Sequence, residues 1–187
     1  MTKPKNPFGK FLGPDQITEA ILEIEKIAKA ENLSIALVGG IAMQFYGSDR
    51  LTKDIDIIAK RCPSCLQKGK NKKLTFGGEQ TRLPKSGIEV DIIVRNDDFS
   101  ELYDTARIRA RQQGFPVPLV QPEHLFAMKM AANRPKDEAD MLFLATSKGF
   151  SPKSTRLTIK RFLGPYAAEA FDAFLMEAEW RKKTGKL

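Results

Sequence analysis

The stretch Val38-Gly39-Gly40-Ile41-Ala42-Met43-Gln44-Phe45-Tyr46-Gly47-Ser48-Asp49-Arg50-Leu51-Thr52-Lys53-Asp54-Ile55-Asp56 decides how this chain folds. An apolar run ends in a glycine pair, and two aspartates two residues apart then open the β-branched segment Asp54-Ile55-Asp56-Ile57-Ile58. On a strand, residues i and i+2 share a face, roughly 7 Å apart. Both carboxylates therefore leave one side, while Ile55 and Ile57 leave the other toward a core. A third carboxylate stands in Ile88-Glu89-Val90-Asp91-Ile92-Ile93-Val94, where Asp91 again faces away from apolar neighbours. Three carboxylates on adjacent strands repel one another unless cations sit between them. That is a common way to hold Mg²⁺ beside the phosphates of a nucleotide.

Glycine at 39 and 40 leaves no Cβ in the way, so backbone N–H groups at the start of the next helix can approach phosphate oxygens. Taken alone, the pair reads more often as a tight strand-to-helix turn than as a binding feature. The carboxylates have a structural reading too, as the solvated face of an open sheet. Two residues of poor β-propensity at one parity in an isoleucine-rich strand weigh against it.

The order Gly39-Gly40, Arg50-x-Thr52-x-Asp54-x-Asp56, Asp91, and then Lys129-x-x-x-x-Arg134-x-Lys136-Asp137-x-x-Asp140 resembles the nucleotidyltransferase superfamily related to DNA polymerase β. Within it, the pattern is most similar to the AbiE-type toxin nucleotidyltransferases and their relatives, over residues 15–147. The resemblance implies an α+β fold: a mixed sheet flanked by helices, with a helical C-terminal part. It implies transfer of NMP from an NTP to a hydroxyl acceptor, with two Mg²⁺ (or Mn²⁺) ions held by Asp54, Asp56 and Asp91. Asp91 would also help deprotonate the acceptor. Gly39, Gly40, Ser48, Arg50 and Lys129 are the nucleotide-binding candidates. A lysine beside a metal site acts on the β- or γ-phosphate as a point charge. Asp137 and Asp140 read more simply as partners of a helix dipole or of Arg134 and Lys136. The same resemblance implies a tRNA or other RNA acceptor and a partner antitoxin. Two other readings stay open: a small-molecule or protein acceptor, and a non-catalytic nucleotide- or RNA-binding module.

Composition sets the outer bounds. A chain of 187 residues with 42% hydrophobic content can bury a core. No apolar run approaches the roughly 20 residues that cross a bilayer, and Met1-Thr2-Lys3-Pro4 has no apolar segment behind it. The expectation is a cytoplasmic protein with no membrane partner. Net charge is +8, which favours an anionic partner and is equally compatible with mere solubility. The two cysteines, Cys62 and Cys65, fall short of the four ligands of a structural zinc. They read as a reduced pair in a loop.

Along the chain, residues 1–13 read as a flexible arm, 14–120 as the α/β core and 121–187 as a helical region. The pattern predicts a helix from Pro14, strands over 33–38, 54–59 and 88–95, and a short strand at 117–120. A helix is expected over 100–113. Residues 60–86, with Lys60, Arg61, Lys68, Lys70, Lys72, Lys73, Arg82 and Lys85, read as a basic loop with a weak strand or two. Pro122, Pro135, Pro152 and Pro165 suit the first turns of four C-terminal helices.

Overall fold

The computed structural model describes residues 11–67 and 71–185. Of the expected arm, residues 1–10 lie outside the described residues, as do Lys68 and Lys70 of the basic segment. Leu12 donates its N–H to the Thr52 carbonyl at 2.9 Å, and the Lys53 ammonium lies 5.1 Å from the Phe11 ring centre. The chain from residue 11 on is thus tied to the segment that leads into the aspartates.

Helix α1 (Pro14–Ala30) starts with proline at its first position, and Gln16 Oε1 accepts the Gly13 N–H at 3.0 Å. Both devices satisfy or remove the N–H groups that a helix start leaves without partners. Strand β1 (Ile35–Val38) passes directly into α2 (Gly39–Phe45), and β2 (Ile55–Ala59) follows. Next come a single 3₁₀ turn (Ser64–Leu66), the hairpin β3 (Lys72–Lys73) and β4 (Gly78–Arg82), and then β5 (Glu89–Ile93). The sheet order is β1-β2-β5-β4-β3, parallel only between β2 and β5. It is therefore a mixed sheet in an α+β fold, as expected.

Alternation sorts the central strands by face. Ile55, Ile57, Val90 and Ile92 are fully buried, and Ile57 and Val90 line one small cavity with Ile24, Ile27 and Ala28 of α1. The opposite parity carries Asp56, Asp91 and Gln80 beside Ile58 and Ile93. That face looks toward α3 (Ser100–Ile108) and α4 (Pro122–Ala132).

Two expectations need correcting. The helix expected over 100–113 ends at Ile108, because Arg111 and Leu119 exchange both backbone hydrogen bonds (3.0 and 2.8 Å) and pull the chain out of helical register. The strand expected at 117–120 is reduced to isolated bridges: the Leu37 N–H reaches Pro118 O at 2.8 Å and the Val120 N–H reaches Leu37 O at 3.0 Å. Pro116 and Pro118 have no N–H to extend the ladder.

The last four helices are α4, α5 (Pro135–Thr146), α6 (Pro152–Leu163) and α7 (Pro165–Thr184), each with proline in its first turn. Six successive residues of α4, His124 to Lys129, are buried, so the helix is enclosed on all sides. Phe126 sits edge-on to Phe171 and Phe174 of α7 at 5.1 and 5.7 Å. Such ring pairs add to the burial of α4 against the bundle. Among the described residues no helix is long and apolar enough to cross a membrane.

Candidate active site

The ladder places the carboxylates. Asp56 on β2 is directly in register with Asp91 on β5, which faces Gln80 on β4, which faces Lys72 on β3. Residues directly opposite on neighbouring strands lie about 5 Å apart with side chains on one face. Gln80 Nε2 donates to Asp91 Oδ1 at 2.8 Å. Asp54 precedes the strand, and Thr52 Oγ1 donates to its Oδ1 at 3.2 Å and to its carbonyl at 3.1 Å.

The glycine pair is explained by these same groups. Gly39 has φ of +64°, and a Cβ there would fall 1.9 Å from Asp56 Oδ2. A Cβ on Gly40 would fall 2.7 Å from Thr52 Oγ1. Any side chain at either position would displace a residue of the Asp-x-Asp segment. The Gly40 N–H also hydrogen-bonds Asp56. Burial, then the Asp54 charge, then the Asp91 charge push the Asp56 carboxyl up to about 7, against the Gly40 N–H and the charge of Lys136. Burial likewise raises Asp91, with the Gln80 hydrogen bond opposing and Asp54 adding to it.

Above the carboxylates lies a cleft of about 410 Å³. Asp56, Gly39 and Gly40 form its foot, and Arg50, Lys129, Arg134 and Lys136 its basic wall. Its far side is aromatic and apolar: Phe76, Ile93, Tyr103, Leu125 and Met128, with Arg95 among them. Asn133 ends α4 in the left-handed conformation (φ 46°), and Pro135 opens α5 two residues later. This sharp corner brings Arg134 and Lys136 to the cleft.

Of the residues singled out in the sequence, Gly39, Gly40, Arg50, Asp56 and Lys129 line the cleft. Asp54 and Asp91 do not line it, but both lie within electrostatic reach of Asp56, Asp91 in register with it on the next strand. Ser48 does not line it; its Oγ accepts the Arg50 N–H at 3.3 Å, which is turn chemistry. Lys129 is buried, with its ammonium 2.5 Å from Asp140 and 3.5 Å from Asp137. Asp140 also binds Arg50, and Asp137 binds Arg134 at 2.7 Å. Asp140 therefore pairs with Arg50 and Lys129 rather than with the Arg134 or Lys136 that spacing offered. Burial opposes ionisation of Asp137, but the Arg134 hydrogen bond and the Lys129 charge prevail and hold its carboxyl below the usual range. Lys136 is exposed and acts on both Asp56 and Asp91. Arg95, Phe76 and Tyr103 escaped sequence reasoning, because no motif spacing links residues 76, 95 and 103.

The carboxylate set fits a divalent cation in part. Burial first, and neighbouring carboxylates after it, raise the proton affinity of both Asp56 and Asp91, and a cation among them would offset both costs. Among the described residues no three His, Cys, Asp or Glu side chains close into a ready-made metal cage. Mg²⁺ seldom needs one, since it typically takes one or two carboxylates and completes its shell with water and substrate phosphates. Cys62 and Cys65 do not line the cleft, and Glu79 beside Cys62 at 3.6 Å adds to burial in pushing that thiol up to about 12.

No family model and no curated relative matches the chain. Solved structures do. An antigenic nucleotidyltransferase-like protein from Paracoccidioides brasiliensis is 15% identical, covering 89% of this chain and 94% of its own, with a TM-score of 0.47. JHP933 from Helicobacter pylori is 12% identical over 93% and 96%, with a TM-score of 0.49. ANT(2'')-Ia in complex with adenylyl-2''-tobramycin is 18% identical over 89% and 98%, with a TM-score of 0.45.

Proposed function

We propose that this chain is a divalent-metal-dependent nucleotidyltransferase that moves NMP from an NTP to a hydroxyl, with RNA as the acceptor. One observation carries the reading: Asp56, repelled by Asp54 and by the in-register Asp91, lines one cleft together with Arg50, Lys129, Arg134 and Lys136. Clustered acid beside clustered base is what a metal–triphosphate complex requires.

Asp54 and Asp56 would hold the metal, with Asp91 completing the set. A bound Mg²⁺ or Mn²⁺ supplies neutralising charge at the triphosphate and at the departing pyrophosphate. Asp91 takes the proton of the acceptor hydroxyl as its oxygen bonds to the α-phosphorus and the α–β phosphoanhydride bond breaks. Lys136 and Arg134, at the cleft wall, offset charge on the β- and γ-phosphates. Lys129 acts there with its charge already shared by Asp137 and Asp140. RNA is favoured over a small acceptor by the row Asp56–Asp91–Gln80–Lys72, which leads across the sheet to exposed Lys72 on the edge strand. The resemblance to AbiE-type proteins adds a toxin role restrained by an antitoxin.

The test is incubation of the protein with each α-labelled NTP, Mg²⁺ or Mn²⁺, and total RNA, cell protein or small-molecule extract. Label should pass to RNA, and Asp56→Ala should abolish transfer while thermal unfolding shows a folded protein. Relief of growth inhibition by the same substitution would support the toxin role. No transfer to any acceptor would leave a binding module, and transfer surviving in Asp56→Ala would place the chemistry elsewhere.

A further inference from the structure

The aromatic side of the cleft has no part in the transfer chemistry, yet it is firmly built. Phe76 lies at the tip of the β3–β4 hairpin, in a turn closed by the Gly77 N–H on Leu74 O (3.2 Å) and the Leu74 N–H on Gly78 O (3.1 Å). Gly77 and Gly78 both have φ near +97°, and their missing Cβ atoms would fall 2.4 Å from Val94 O and 1.9 Å from Ile92 O. The hairpin is thus seated on the backbone of β5, where only glycine fits. Behind Phe76, the Arg95 guanidinium is enclosed by three rings, 6.0 Å from Phe76, 5.3 Å from Phe99 and 5.0 Å from Tyr103. Asp97 holds the same guanidinium through Nε at 2.9 Å and through Nη2. Arg134 lies within electrostatic reach of both Asp56 and Tyr103, so the aromatic wall and the phosphate end belong to one continuous cleft.

From this we infer that the Phe76 side of the cleft is the subsite for the nucleotide's heterocycle. The inference rests on the nucleotidyltransferase reading and specifies it. A planar base needs an apolar platform at one fixed depth from the phosphates. Phe76 provides the platform and Arg95 braces it against Tyr103, while Ile93, Leu125 and Met128 close the floor. Stacking makes few demands on the hydrogen-bonding edge, because every base has a π-face. The subsite therefore accepts all four NTPs, and selectivity among them arises elsewhere.

Calorimetric titration with ATP, GTP, CTP and UTP, and with tripolyphosphate, which has no heterocycle, tests this in the presence of Mg²⁺. Phe76→Ala should weaken all four NTPs by about tenfold and leave tripolyphosphate unchanged, while Phe76→Tyr keeps wild-type affinity. Thermal unfolding should show each variant folded. NTP affinity unchanged in Phe76→Ala overturns the subsite and leaves the transferase reading standing on label transfer. Equal weakening of tripolyphosphate overturns it too, since Phe76 would then act on the cleft as a whole. Binding of neither NTP nor tripolyphosphate by the wild type removes both readings.

Discussion

Asp56 holds the most consequential charge in the molecule. Its carboxyl, raised from 3.8 to about 7 by burial and then by Asp54 and Asp91, keeps a proton that the unfolded chain gives up. Between about pH 4 and pH 7 the folded state binds more protons than the unfolded state, so stability falls as pH rises across that window and levels off above it. The loss is on the order of a few kcal/mol. In metal-free protein the melting temperature should fall from pH 5 to pH 8. Asp56→Asn should flatten that slope, and Mg²⁺ or Mn²⁺ at pH 8 should restore the wild type and do little for the variant. Equal slopes in the two proteins would show that Asp56 does not bear this charge. The parity of Asp54 and Asp56 was legible in the sequence because a strand's two-residue period is local. The reason for the glycines was not: the sequence offered approach to phosphate, whereas Asp56 and Thr52 occupy the places where Cβ atoms would go. Residues 17 and 12 positions downstream impose that requirement, and only the fold brings them back.

At the level of elements, α4 and α5 are locked to the Asp-x-Asp segment by an ion network whose Lys129, Asp137 and Asp140 are buried. Asp140 of α5 holds Arg50 and Lys129, and Asp137 holds Lys129 and Arg134. Removing one member of such a group leaves its partner charged and desolvated. Asp140→Ala should therefore lower stability by on the order of 3 kcal/mol in urea unfolding, somewhat less than an isolated pair because Asp137 still faces Lys129. A loss under about 0.5 kcal/mol would mean that the network is solvated and exchangeable. Helix starts were legible, since proline at the first position is a local signal, and all five longest helices with that mark begin where it stands. The Arg50–Asp140 pairing spans 90 positions and leaves no trace in spacing. The short strand expected at 117–120 failed for the same kind of reason: whether an apolar segment becomes a strand depends on a neighbour, and Leu37 offers it only two hydrogen bonds.

Across the whole molecule, the charge of +8 is not spread evenly. Several basic side chains are consumed by ion pairs, such as Arg61 with Glu31, Arg82 with Glu89 and Arg156 with Asp172. Lys72 and Lys73 stand exposed on β3, at the edge of the sheet. Lysine on an edge strand has a purpose without any ligand, because it discourages pairing with another chain. The register gives it a second purpose. Lys72 lies three strand spacings from Asp56 along one row, about 14 Å, so a polynucleotide whose terminal hydroxyl reaches Asp91 would pass its backbone over this edge. Each phosphate neutralised adds roughly 0.7 to 0.9 to the slope of log affinity against log salt. Lys72→Gln should therefore reduce the slope for RNA by about 0.8 while leaving NTP binding unchanged, since Lys72 does not line the cleft; Lys73, in register with Glu79, faces the other side of the sheet and its substitution should leave the slope as it is. Filter binding across a salt series measures the first quantity and calorimetry the second. A slope that keeps its wild-type value in Lys72→Gln would leave this lysine as a guard of the sheet edge. The acceptor would then have to enter over α5, where the exposed Lys136 acts on both Asp56 and Asp91.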